Sequence, residues 1–450
     1  MNGYKYKHSI LVPTHQRGEL LRATLRGLLL QEYDDYQIVV SNNFSQDETR
    51  SILEEFKQNQ HIKIIHTNQK LSMPDHWEFA MDYVEGEYIT ILGDDDGVRP
   101  EYLSTMDLVI DSTDANLIKF KTGIYYHPDW PNERMGTFEF DTRCTNNYFT
   151  VDKWIVISDF CKFKKYIYFP NLMQTCFSHE LFRRAKVKCK KVFVGAPDWT
   201  CSFLMLMDET ARLAFVDSTL GFGGRSQMSN AAWGNSRAGT QNDRITDFFA
   251  ELTLDTRLPF HQPQISTQSN YHPAAFSYAK NFYPNELREY SLSNFELCKT
   301  IQGDMAEEAV TSRRSFYTQQ ELEIFRMFIN ELPELQRKEI MRMAGSFSAI
   351  GRLRLMLKWI KRRAIESAPW LLLLRLFKRD ANSSYLWDSN VNGRDYSVLN
   401  GHDLMKYFSK IVESSDKYSK VKSNALQDYA CLVPKGLVSY VSKFETNKGV

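Results

Sequence analysis

Apolar and polar positions alternate in blocks over the first 120 residues. A short apolar run at 9–13 precedes a stretch at 18–31 where Leu20, Leu21, Thr24, Leu25, Leu28 and Leu29 recur at helical spacing. A second apolar run occupies 36–40, and Ser45, three residues before Glu48, reads as a capping box opening a helix over 46–57. Runs at 62–66, 88–92 and 116–120 read as further strands, with helices over 74–84 and near 101–111 between them. Strands separated by helices predict a mostly parallel sheet covered on both faces.

Beyond residue 120 the pattern becomes irregular and aromatic to about 150, as in a hairpin or insert. Helical patterns resume at 151–163, 179–186 and 198–208, followed by a strand at 212–216. The stretch 221–239 is rich in Gly, Ser and Asn and reads as a long loop. The expected division is a first domain over 1–243, made of halves 1–120 and 121–243, and a mainly helical domain over 244–450.

Composition narrows the class. A chain of 450 residues exceeds one comfortable core, and 25% charged with 43% hydrophobic residues is ordinary for a globular protein. The net charge of +1 excludes a broadly basic nucleic-acid binder. The seven cysteines are dispersed without a CxxC pair, which reads as reduced thiols. The first residues lack a secretory pattern and no stretch reaches the length of a membrane span, so a cytoplasmic protein is expected.

Local charge changes the picture at 351–379. Nine Lys or Arg face one acid there, with Trp359, Trp370 and a leucine run between them. Such a segment either lies in an anionic membrane surface at the inner face of the cell membrane or packs on its own domain.

Chemistry gathers at the carboxyl ends of the predicted strands, where open parallel sheets bind ligands. The first strand runs into Pro13-Thr14-His15-Gln16-Arg17, the second into Ser41-Asn42-Asn43, the fourth into Gly93-Asp94-Asp95-Asp96. Three adjacent carboxylates repel, and holding them at a buried strand end is costly without a cation. Hard divalent ions such as Mn²⁺ or Mg²⁺ take oxygen ligands and bridge to phosphates. If the segment is extended, Asp94 and Asp96 point the same way and form the metal pair.

The stretches SILVPTHQR, YQIVVSNNFSQDET and GEYITILGDDDGVRPEYL resemble the nucleotide-binding half of the family 2 glycosyltransferases, which have the Rossmann-like GT-A fold. The resemblance covers 8–120. It implies that Pro13, Thr14 and Arg17 lie against the nucleotide of a nucleotide-diphosphate sugar, UDP being the expected one. It also implies that Asp94 and Asp96 hold metal and diphosphate, with Asp95 near sugar or ribose. The family's strand-two aspartate is replaced here by Asn42 and Asn43, both able to bond a base edge or ribose hydroxyl.

Other candidates carry two readings each. Asp75 is either a donor contact or an acid in the first turn of a helix. Asp198, in VGAPDW, is either an N-cap or the base that deprotonates the acceptor hydroxyl in an inverting transfer, as the family pattern implies. Arg225 and Ser226 either reach the donor phosphates from a lid or belong to a surface linker.

The resemblance implies an inverting, metal-dependent glycosyltransferase acting on a glycan or lipid-linked acceptor in bacterial-type surface polysaccharide synthesis. A sugar-phosphate nucleotidyltransferase is the first alternative, weakened because no Gly-rich phosphate loop follows the first strand. A silent nucleotide-binding scaffold at the membrane is the second.

Overall fold

The computed structural model describes residues 3–127, 129, 138–139, 144–164, 167–226, 268–312, 319–345 and 438–443. Its first half is four strand–helix repeats. They comprise β1 (Tyr6–Thr14), α1 (Gly18–Leu28), β2 (Tyr36–Asn42), α2 (Thr49–Phe56), β3 (Ile62–His66), α3 (Met73–Met81), β4 (Gly86–Ile91), the short β5 (Gly97–Val98) and α4 (Tyr102–Thr113). The second half adds β6 (Leu117–Tyr126), β7 (Phe138–Glu139), β8 (Asn147–Val151), α5 (Lys153–Cys161) and a 3-10 turn at Leu172–Gln174. It continues through β9 (Thr175–Ser178), α6 (His179–Cys189), α7 (Pro197–Met207) and β10 (Leu213–Arg225). Then come α8 (Gln268–Lys280), α9 (Asn294–Ser312), α10 (Gln319–Asn330), α11 (Glu334–Gly345) and β11 (Val438–Lys443).

One sheet runs in the order β11-β8-β10-β6-β9-β4-β1-β2-β3. The expected parallel half is present: β4, β1, β2 and β3 pair in parallel, as do β6 and β10. The sheet as a whole is mixed, because β9 enters antiparallel between β4 and β6, and β8 lies antiparallel on β10. Near-continuous apolar strands follow from burial on both faces. Along β1, Leu11 faces one core with Val39, Ile91, Phe177 and α7, while Ile10 and Val12 face the other with α1, α2 and α4.

Two local expectations change. Ser45 does not cap α2: the residue before that helix is Glu48, with no side-chain cap, and Ser45 Oγ instead accepts from the Gln16 amide at 2.8 Å. Residues 221–225 are not loop but the end of β10, paired with β6; the remainder of 221–239 after Ser226 lies outside the described residues.

The boundary expected near 243 also falls outside the described residues. Helix α8 beyond it packs on α7, and its Ala274, Ala275, Phe276 and Ala279 belong to the sheet's own core. Helices α9, α10 and α11 form a separate cluster around Leu297, Ile301, Phe325, Ile329 and Ile340. Segment 351–379 lies outside the described residues, among which no helix is long and apolar enough to cross a membrane.

Phe276 meets Phe203 of α7 edge-on, with ring centroids 5.9 Å apart. Phe276→Ala is therefore expected to lower the unfolding free energy of the sheet by about 3–5 kcal/mol. Urea unfolding followed by the near-UV signal checks this, since a helix independent of the sheet would leave that transition unmoved.

Candidate active site

β4 ends at Ile91 and the chain folds into a tight turn in which the Asp96 amide donates to the Gly93 carbonyl at 3.2 Å. The segment is therefore not extended, and the argument that alternation aims Asp94 and Asp96 together does not hold. Each acid has its own surroundings. Asp94 is 3% exposed; Thr14 Oγ1 donates to its Oδ2 at 2.6 Å and Arg17 Nη1 to its Oδ1 at 2.8 Å. Asp95 is also buried, with its Oδ2 3.7 Å from the same guanidinium. Asp96, partly buried, accepts the Gly93 amide on Oδ2 at 2.8 Å and the Gly224 amide on Oδ1 at 2.9 Å.

Three residues that the sequence did not single out complete this arrangement. Thr24 of α1 lies 3.0 Å from the carbonyls of Asp94 and Asp96 and donates to them. His127 Nε2 lies 3.3 Å from the Asp95 carbonyl. Gly224 is the third: a Cβ there would lie 1.9 Å from the Asp95 carbonyl oxygen, so no other residue fits without moving the turn. A glycine inside a strand marks such a close approach, and this was the available signal. The two-residue β5 pairs antiparallel with Gly221 and Phe222 and so lays the acid turn against β10.

Burial pushes the Asp94 carboxyl up, against the pull of Arg17. Burial together with the Asp95 charge pushes Asp96 up to about 7, although the Gly224 and Gly93 amides favour its ionised form.

The strand-two asparagines are both buried. Asn42 is fully buried; its Oδ1 accepts the Ser45 amide at 3.1 Å and its Nδ2 meets His66 at 3.2 Å. Asn43 closes a two-way pair with Leu71, donating to its carbonyl and accepting its amide, each at 2.9 Å. Both amides tie loops together. Asp75 lies in the first turn of α3 and accepts from Ser72 Oγ at 2.8 Å and from Lys191 at 3.2 Å. Pro13 lies in β1 beside Ser41. Arg225 ends β10, its carbonyl accepting the His127 amide at 2.8 Å.

Asp198 stands in the first turn of α7, whose N-cap position is Ala196, and its carboxyl accepts the Asp198 and Trp199 amides. Asn171 Nδ2 donates to its Oδ2 at 2.9 Å, and burial pushes its carboxyl up. Asn171 immediately precedes the 3-10 turn, which packs against both β4 and α7. That turn links the helix carrying Asp198 to the strand carrying the acids.

Residues 9–189 match glycosyl transferase family 2. The chain carries a family 2 glycosyltransferase domain. Over 102 residues it is 32% identical to GalNAc(5)-diNAcBac-PP-undecaprenol beta-1,3-glucosyltransferase of Campylobacter jejuni, covering 22% of this chain and 33% of that one. Over 133 residues it is 27% identical to glycosyltransferase GlyG of Streptococcus pneumoniae, covering 29% of this chain and 42% of that one. The chain thus spans less than half the length of either relative. Among solved structures, Staphylococcus aureus TarS 1–349 in complex with UDP-GlcNAc superposes with a TM-score of 0.45 at 13% identity, covering 77% of this chain and 89% of that one.

The acid turn of this glycosyltransferase domain fits a divalent cation on charge and donor type. Three carboxylates face one guanidinium, leaving a deficit of two positive charges when all are ionised, and every donor is a hard oxygen. Among the described residues no three such side chains stand in ligand geometry.

The raised Asp96 carboxyl sets a pH dependence. A group that holds its proton more tightly folded than unfolded adds stability below its unfolded value, and that contribution is lost as pH rises through about 7. In EDTA, wild-type stability is expected to fall between pH 4 and 7.5 more steeply than that of Asp96→Asn. Parallel denaturant midpoints for the two proteins would refute the assignment.

Proposed function

We propose that this protein is an inverting, metal-dependent glycosyltransferase that moves a sugar from a nucleotide-diphosphate donor to a hydroxyl acceptor. The observation that carries the reading is the buried acid turn on the family 2 domain, short of positive charge and walled by backbone amides. Asp94 and Asp96 hold the cation in this reading, and Asp95 lies beside the donor. A bound divalent cation supplies charge neutralisation for the departing diphosphate. Thr14 fixes one carboxylate, Gly224 and Gly93 orient another, and Arg17 offers a permanent positive charge to phosphate oxygens.

Asp198 takes the acceptor's proton. Burial raises its proton affinity, which strengthens a carboxylate as a base, and the Asn171 side chain with the Asp198 and Trp199 amides holds the carboxylate in place. The Campylobacter relative's name specifies a lipid-linked acceptor, which supports an undecaprenol-type or polysaccharide acceptor here. UDP is the proposed nucleotide. Peripheral attachment through 351–379, on the cytoplasmic side, follows from the basic, Trp-containing sequence. Sedimentation with anionic liposomes tests it: neutralising Arg362, Arg363, Arg375 and Lys378 is expected to leave the protein in the supernatant.

Asp198→Asn keeps the size of the side chain and loses its basicity. Transfer is expected to fall by roughly 10²–10⁴-fold while donor binding survives, because the acid turn is untouched. Turnover and isothermal titration with UDP-sugars on a variant of unchanged melting temperature check this. Near-normal turnover would remove Asp198 from the mechanism.

A further inference from the structure

We infer that Arg17 is the resident counter-cation of the acid turn, holding Asp94 and Asp95 until a divalent cation displaces it toward the donor's diphosphate. The inference rests on the reading of the turn as a cation–diphosphate site.

Arg17 is placed for this by its backbone. Gln16 sits at φ 56°, in the left-handed region that non-glycine residues seldom occupy, and its amide is tied to Ser45 Oγ. Arg17 itself precedes α1 at φ −143°, outside helical geometry and without a side-chain capping role. The kink spends backbone strain on where the next side chain goes, and that side chain goes into the acids. Its guanidinium, 13% exposed, lies 2.8 Å from Asp94 and 3.7 Å from Asp95. A guanidinium cannot shed its proton, so its charge is permanent wherever it moves.

Asp94 has a second anchor. Thr14 Oγ1 holds Oδ2 while Arg17 holds Oδ1, so release of Arg17 leaves the carboxylate in position with an oxygen open to a cation. Asp96 is fixed independently by the Gly93 and Gly224 amides. Arg17 can thus leave with Asp94 and Asp96 still held. A cation and a guanidinium cannot both occupy the same carboxylate oxygen, and like charges at that distance repel. The arriving diphosphate supplies the anion to which Arg17 turns.

The test is Mn²⁺ binding without nucleotide, by titration calorimetry and by paramagnetic resonance of free Mn²⁺. Removing a competing charge is expected to tighten Mn²⁺ binding about tenfold in Arg17→Gln, with Arg17→Lys between it and wild type. UDP binding at saturating Mn²⁺ is expected to weaken in Arg17→Gln. A merely structural arginine would give weakening of both. The rise in melting temperature from EDTA to Mn²⁺ is a second readout, expected to be larger in the variant because the metal replaces the missing charge. If Arg17→Gln does not fold, Arg17→Lys carries both measurements. Unchanged or weaker Mn²⁺ affinity, in a protein whose wild type binds Mn²⁺ and whose Asp96→Asn form does not, overturns this inference and leaves the metal reading standing. A wild type that binds no Mn²⁺ overturns both.

Discussion

Three carboxylates in succession at the end of a buried strand are the constraint to which this architecture answers. Their mutual repulsion grows as water is removed, and each polar group left unpaired costs free energy. The protein meets that cost from four separate elements. β1 contributes Thr14 and leads to Arg17, α1 sends Thr24 to the turn's carbonyls, and β10 brings the Gly224 amide. The residue just past β6 adds His127. Strand order follows from this demand: β4 must neighbour β1 on one side, and β5 must reach across to β10. The remaining charge deficit is what supports reading the turn as a cation site.

The strands and helices of the first half are legible in the sequence because burial on both faces writes continuous apolar runs, and surface helices write a 3.6-residue period. The acid triplet is equally legible, since no structural need places three adjacent aspartates after YITILG. Tertiary partners leave weaker traces. Asn42 and Asn43 have the right chemistry for a ligand, but the same amide groups serve to knot loops, and Leu71 and His66 lie 24 or more residues away in sequence. Ser45 and Glu48 have the spacing of a capping box, yet the serine oxygen is taken by an amide from another loop. In each case local spacing allowed two partners and long-range packing chose.

Asp198 depends on a different kind of support. Trp199 beside it stacks on Phe169, centroids 4.9 Å apart, and meets the His272 ring of α8 at a tilt, centroids 3.6 Å apart. These contacts tie the first turn of α7 to α8, and the Asn171 bond sets the carboxylate against the 3-10 turn. Since that turn also packs on β4, the acid cluster and Asp198 share one rigid connection rather than two independent loops. In this arrangement a ring from a helix 70 residues downstream steadies a carboxylate whose partners look local in sequence.

The family match covers 9–189, and the parts that complete the site lie after it. Residues 9–189 alone supply Thr14, Arg17, Thr24 and the three aspartates, but not Gly224, whose amide holds Asp96, nor Asp198. They also lack β10, which is the parallel neighbour of β6 and the strand on which β5 and the acid turn rest. Without β10, Asp96 would lose one of the two amides that favour its ionised form. Without α8, the Trp199 ring would lose its contact with His272. The unit packed around the acid turn and Asp198 therefore extends from β1 through α8, and the later strand and helices supply contacts that the shared family segment lacks.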